Sequence, residues 1–244
     1  MSISIALVCE GATDPPTICA LADRFICAGV DWIPADEIET FRHFRGFQQI
    51  DSYMTWFDID DLANHYGVKS AGFHEGLPLH GDGHKVRKAL TLLTLHAPEP
   101  TVDVIILFRD ADKEYEARRD AIRRVRDSST IPIPIIIGVA NRMRECWVIN
   151  GFEPVDEQER SLLAGEHQRL GFDPRFRAHE LNATNESHDR SPKRVLRALT
   201  SDDQARERSC VFHTSHDTLR MRGVATGLPE FLDELQERLI AAFR

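Results

Sequence analysis

Cysteine is scarce in this chain and badly placed for cross-linking. Five occur in 244 residues, at positions 9, 19, 27, 146 and 210, an odd number with no Cys-x-x-Cys pair. They read as free thiols of a reducing compartment, and zinc-ribbon and thioredoxin-like readings fail on spacing. No apolar run approaches the ~20 residues of a membrane span, and the N-terminus lacks the basic region and small-residue cleavage site of a signal peptide. The expectation is a cytoplasmic protein with no membrane partner. Positive charge is also in deficit, 30 Lys and Arg against 39 Asp and Glu, for a net charge of −9. That balance excludes a protein that coats nucleic acid by general phosphate neutralisation. Arginine is nevertheless locally dense at Arg118, Arg119, Arg123, Arg124 and Arg126, at Arg142 and Arg144, and between residues 193 and 197. Basic surfaces therefore coexist with an acidic average, although the 118–126 group reads as a solvated helix face. There is no internal repeat and no low-complexity linker.

What is present has the texture of a layered α/β protein. At this length, with 42% hydrophobic residues, the chain forms one large domain or a core with a smaller appended lobe. The stretch Val104-Ile105-Ile106-Leu107-Phe108 has no polar alternation, the habit of a strand covered on both faces in a parallel sheet. It runs straight into Arg109-Asp110-Ala111-Asp112. Ligands of such sheets bind at the carboxyl ends of the strands, where two close carboxylates repel unless a cation or proton separates them. Residues 3–9 are a matching buried strand, ending at Glu10-Gly11. A helix over about 15–27 follows, with Thr13 or Asp14 as its cap and Pro15 and Pro16 in its first turn.

Further elements follow in order. A strand is expected near 41–44, and a helix over 51–66 with Met54, Phe57 and Leu62 in the core and Asp58, Asp60 and Asp61 crowding its middle, where they read as the cap of a helix starting near Asp60. Residues 74–84, rich in glycine and histidine, read as a loop; the histidine spacing matches no closed zinc site, and a functional version gives His84 a substrate contact. Helices are expected over 85–96 and, largely exposed, over 113–127. A third strand over 131–139 carries Pro132 and Pro134, which place it at an edge or at a strand start. The run 141–149 reads as a helix with Glu145 and Ile149 on one face and Trp147 toward the core. Beyond Gly151 the texture becomes polar, with a helix over 156–170, an irregular stretch over 171–188 and a helix opened by Ser191-Pro192. Lys193 lies in that first turn, where the helix dipole does not favour a cation. An amphipathic helix over 228–239 closes the chain. The division expected is a core over 1–150 and a mainly helical extension over 151–244.

Glu10, the Asp110/Asp112 pair and Glu145 together describe an oxygen-ligand site for Mg²⁺ or Mn²⁺. A Glu-Gly turn after the first strand and an Asp-x-Asp after a later one resemble the Toprim domain of topoisomerases, primases and the overcoming-lysogenisation-defect type nucleases. Within that superfamily the chain looks most like small bacterial Toprim-like proteins often encoded beside an ATPase. The likeness rests on Glu10-Gly11-Ala12-Thr13-Asp14, Asp110-Ala111-Asp112, the Glu145-Cys146-Trp147 helix and the Pro192-Lys193 helix. Each motif is short; the four in order are moderately specific. The resemblance implies a Rossmannoid, mostly parallel sheet and metal-dependent phosphodiester hydrolysis of DNA or RNA, in a bacterial defence or repair setting with an ATPase partner. Glu10 would be metal ligand or general base, Asp110 and Asp112 would hold the ion, and Asp14 and Glu145 would support a second. Lys193 would be catalytic beside Glu10 and the Asp pair, and Lys193 or Arg142 would steady transition-state charge. The rival reading is a non-catalytic regulatory or structural partner of an ATPase; assembly into a homo-oligomer is left open.

Other readings of the same residues fail. A topoisomerase needs a nucleophilic tyrosine in a strand-passage domain, and the three tyrosines, Tyr53, Tyr66 and Tyr115, offer none. A primase needs a zinc module and a basic template track. A haloacid-dehalogenase-type phosphatase places its Asp-x-Asp after the first strand, with Thr or Val shortly afterwards, where this chain has Lys113. A receiver-like phosphoacceptor role for Asp110 lacks the Thr and Lys constellation.

Overall fold

The computed structural model describes residues 2–70, 73–74, 77–79 and 81–244, with the backbone alone for 73, 74, 77 and 78. Two compact units emerge: unit 1 holds residues 1–109, 114–138 and 233–244, and unit 2 holds 110–113 and 139–232. The boundary expected near residue 150 thus lies inside unit 2, and the closing residues return to unit 1.

Unit 1 begins with β1 (Ile3–Cys9) and α1 (Asp14–Gly29), followed by α2 (Ile38–Phe41), β2 (Arg42–Arg45), β3 (Met54–Thr55) and α3 (Asp58–His65). The hairpin of β4 (Phe73–His74) and β5 (Leu77–Pro78) leads to α4 (Gly81–Thr91), which runs on as a π turn over Leu92–His96. Then come β6 (Val104–Asp110), α5 (Tyr115–Asp127) and β7 (Ile135–Ala140). The sheet order is β2-β1-β6-β7, with β3 also beside β1. β1 runs parallel to β2, β3 and β6; Ile5 pairs with Val104 and Val8 with Leu107, so the carboxyl ends of β1 and β6 are neighbours. Burial on both faces is why these strands lack alternation: residues 5–9 and 104–108 are fully buried. β7 lies at the sheet edge, and its two prolines precede its first residue, where no ladder N–H is lost.

Helix α1 packs Leu21, Ala22, Phe25 and Ile26 into the core. Neither expected cap serves its N-terminus. Thr13 makes no side-chain cap, and the Asp14 carboxylate turns back to accept the N–H groups of Glu10 and Gly11, both at 3.0 Å. The helix expected over 51–66 begins only at Asp58, and Phe57 is 69% exposed rather than buried, because β3 occupies the preceding residues. Helix α5 buries only the thin apolar face its sequence provides, Ala121, Ile122 and Val125, but the Arg118 and Arg126 side chains are less solvated than their charge suggests, at 14% and 10% exposure within ion pairs.

Unit 2 is built around α6 (Arg144–Asn150), with α7 (Glu157–Leu170), α8 (Pro192–Thr200), α9 (Gln204–His213), α10 (His216–Gly223) and α11 (Leu228–Glu234), whose last two residues belong to unit 1. Every residue of α6 is buried: Trp147 lies in the core as expected, and Glu145 and Ile149 are buried with it. The helix is surrounded: α8, α9 and α10 all pack on it. Trp147 stacks on Phe231 at 5.1 Å, and its indole N–H donates to the Thr226 carbonyl at 2.7 Å. Helix α8 starts as the sequence indicates, with the Ser191 hydroxyl accepting from the Arg194 N–H. All five cysteines are free thiols. Among the described residues no helix is long and apolar enough to cross a membrane.

Candidate active site

The candidate residues divide between the units: Glu10, Asp14 and His84 lie in unit 1, and Asp110, Asp112, Arg142, Glu145 and Lys193 in unit 2. In unit 1 the parallel register sets the residues following β1 beside the end of β6. Glu10 leaves β1 there and forms an ion pair with Arg109 and a longer one, at 3.9 Å, with Arg118. Both guanidinium groups also face Asp82, each at 3.6 Å. Arg109 lies over the Trp56 ring at 5.3 Å, and the Trp56 indole N–H donates to the Phe108 carbonyl at 2.6 Å. Glu10 is thus set in a network of two acids and two guanidinium groups. With Asp14 committed to the 10–11 backbone, unit 1 presents a neutralised Glu10 instead of a cluster of ligands.

His84 is not in a loop. It belongs to the first turn of α4, and its Nδ1 lies 3.1 Å from the Ser70 hydroxyl. Residues 71, 72, 75, 76 and 80, and the side chain of His74, lie outside the described residues, so the three-histidine reading of 74–84 is described only at His84.

In unit 2 the Asp-x-Asp turn is pinned to the turn that follows β7. Ala111 N–H donates to the Ala140 carbonyl at 2.9 Å, Asp112 N–H to the Arg142 carbonyl at 2.9 Å, and the Arg144 N–H to Asp110 Oδ1 at 2.8 Å. Arg142 Nη1 returns a bond to the Asp112 carbonyl at 3.2 Å. Asp112 adopts φ +51°, the left-handed region that aspartate tolerates better than most residues, and its side chain is exposed. The Asn141–Arg142 peptide is cis, and Asn141 is tied by its N–H to the Thr226 carbonyl at 2.9 Å. Glu145 is 6% exposed, with Arg144 Nη2 at 3.5 Å; Arg144 also reaches Glu207 at 2.8 Å. Glu207, 63 residues away, carries no motif that sequence reading could have used. Next to Glu145 the Cys146 thiol is pushed up to about 12, chiefly by burial, so it is held as the neutral thiol. Lys193, about half exposed, pairs with Glu186 at 3.3 Å.

Among the described residues no three His, Cys, Asp or Glu side chains are arranged around a common ion position. The donors differ in their fit to Mg²⁺ or Mn²⁺. Glu10 and Glu145 face guanidinium groups and do not fit as ligands, whereas Asp14, like Asp110, accepts backbone N–H groups. Asp110 and Asp112 fit: Mg²⁺ commonly takes only one or two carboxylates and keeps the rest of its shell as water. Compared with known proteins, the chain matches no family model, no curated protein and no solved structure. The fold and the site define a class, an α/β protein of Rossmann-like architecture with an acidic turn at the end of a central buried strand.

Proposed function

We propose that this protein is a metal-dependent phosphodiester hydrolase acting on DNA or RNA, with Mg²⁺ or Mn²⁺ held by Asp110 and Asp112. The observation that carries the reading is the Asp110-Ala111-Asp112 turn, which leaves a strand fully buried over residues 104–108 and is fixed by three backbone N–H groups: those of Ala111 and Asp112 donate to the carbonyls of Ala140 and Arg142, and that of Arg144 donates to the Asp110 carboxylate. A turn fixed in this way holds the Asp110 carboxylate ready for a cation instead of ordering it on binding. A divalent ion bound there supplies Lewis-acid stabilisation of charge on phosphate oxygens and a more acidic water. Arg142, whose guanidinium already reaches the Asp112 carbonyl, supplies positive charge beside the turn for the phosphate backbone. The Toprim resemblance sets this activity in bacterial defence or repair, beside an ATPase.

In the second reading the protein is a non-catalytic partner of an ATPase, favoured by the guanidinium groups that already face Glu10 and Glu145. Incubation of single- and double-stranded DNA and RNA with Mg²⁺ or Mn²⁺ separates the two. The hydrolase reading expects cleavage that Asp110→Asn abolishes. Absence of cleavage by the protein alone and with its partner ATPase supports the second reading.

A further inference from the structure

In the turn after β7, Ala140, Arg142 and Arg144 each give a backbone group to the acidic turn: two carbonyls accept the Ala111 and Asp112 N–H groups, and the Arg144 N–H reaches Asp110. Asn141, in their midst, bonds elsewhere. Its N–H donates to the Thr226 carbonyl and its side-chain Nδ2 to the Ala225 carbonyl, both at 2.9 Å, so it is clamped twice to the single 3₁₀ turn over Val224–Thr226. That turn is a stiff mount. The Thr226 carbonyl also takes the Trp147 indole N–H at 2.7 Å, and the Thr226 hydroxyl donates to Asn150 Oδ1 at 2.7 Å. Asn150 in turn donates to the carbonyls of Arg175 at 2.8 Å and Arg222 at 3.2 Å. Trp147, Asn150 and Thr226 have no exposed surface, and a buried polar network whose members are paired rigidifies what it holds. All of these residues lie in unit 2 with the acidic turn. The bond from the Asn141 side chain to Ala225 is, by contrast, exposed. A bond in that position adds little to the stability of the whole fold, so its effect is local, on the backbone from which the acidic turn hangs.

We propose that Asn141 is a positioning residue for the divalent-ion site: clamped to the 224–226 turn, it holds the Ala140 and Arg142 carbonyls and the Arg144 N–H where the Asp110-Ala111-Asp112 turn meets them. The inference rests on the reading of Asp110 and Asp112 as the carboxylates that hold Mg²⁺ or Mn²⁺. The test compares two variants of the full-length protein, Asn141→Ala and Glu159→Gln, the second breaking an ion pair with Arg206 elsewhere in unit 2. In metal-free Asn141→Ala, hydrogen exchange at the Ala111 and Asp112 amides should quicken while the melting temperature stays that of wild type. Its Mn²⁺ affinity, read by electron paramagnetic resonance, should fall about tenfold or more, as loss of a group that orients metal ligands implies. Glu159→Gln should show the reverse, a lower melting temperature with wild-type exchange at 111 and 112 and wild-type Mn²⁺ affinity. Wild-type affinity in Asn141→Ala, where Asp110→Asn abolishes binding, would overturn the positioning role and leave the hydrolase reading standing. Equal losses of affinity in the two variants would mean that affinity follows stability and would overturn it too. Absence of Mn²⁺ binding by the wild type would overturn both the positioning role and the hydrolase reading.

Discussion

Arg45, the last residue of β2, has no exposed surface, although arginine is among the residues least often buried. Its guanidinium donates to the carbonyls of Gly46 at 3.2 Å, Phe47 at 2.8 Å, Pro98 at 3.0 Å and Pro100 at 2.8 Å, tying β2 to the approach to β6. No carboxylate takes part in these bonds, and burial lowers its pKa. Nothing in the local sequence marks it, because all its long-range partners are backbone groups some fifty residues away. Arg45→Leu strands those carbonyls and should destabilise the protein by about 3 kcal/mol or more in denaturant unfolding; a loss below about 1 kcal/mol would mean that water replaces the guanidinium. Glu159 gives a pH-dependent counterpart. Arg206 holds it bidentately at 2.6 and 2.8 Å, and that bond keeps its carboxyl below the ordinary value of 4.5. The pair therefore stabilises the fold at pH values above the ordinary carboxylate range, and the contribution fades as pH falls through the lowered value. The melting-temperature difference between wild type and Glu159→Gln should be present at pH 7 and should shrink in acid; a constant difference contradicts the assignment.

At the scale of elements, the sequence was most legible where burial is complete and most misleading where partners are remote. The apolar runs of β1 and β6, and the abrupt acidic turns after them, follow from parallel-sheet burial and could be read directly. The Ser191-Pro192 start of α8 was equally plain. Two helices are more enclosed than their sequences suggest. Helix α5 looks solvated in sequence because its arginines are charged, yet ion pairs with residues from elsewhere in unit 1 take Arg118 and Arg126 largely out of water. Helix α6 turns Trp147 into the core as its sequence suggests, yet Arg144, Glu145 and Asn150 are buried with it. Its C-terminal Gly151 shows how close that enclosure is: a Cβ there would lie 2.4 Å from the Cys210 carbonyl oxygen, which belongs to backbone and cannot turn aside. Gly151→Ala should therefore cost about 1–3 kcal/mol in thermal unfolding, whereas at Gly165, where a Cβ meets nothing within 4 Å, alanine should be neutral or stabilising.

At the scale of the whole molecule, the parallel sheet and flanking helices follow from the sequence pattern. Of the five acids singled out as ligands, the surroundings of Glu10, Asp14 and Glu145 were not legible: within unit 1 Arg109 and Arg118 reach Glu10, within unit 2 Arg144 reaches Glu145 and Glu207, and spacing along the chain carries no record of these contacts. Asp110 and Asp112 keep the expected place because their positions depend on one strand and the turn that pins it. The account therefore rests on two carboxylates, and the measurement closest to it is Mn²⁺ binding followed by electron paramagnetic resonance. Wild type should take up Mn²⁺ saturably, Asp110→Asn and Asp112→Asn should each lose it, and Glu10→Gln should leave the affinity unchanged. Equal Mn²⁺ uptake by wild type and both aspartate variants, or loss of binding in Glu10→Gln alone, would contradict the assignment.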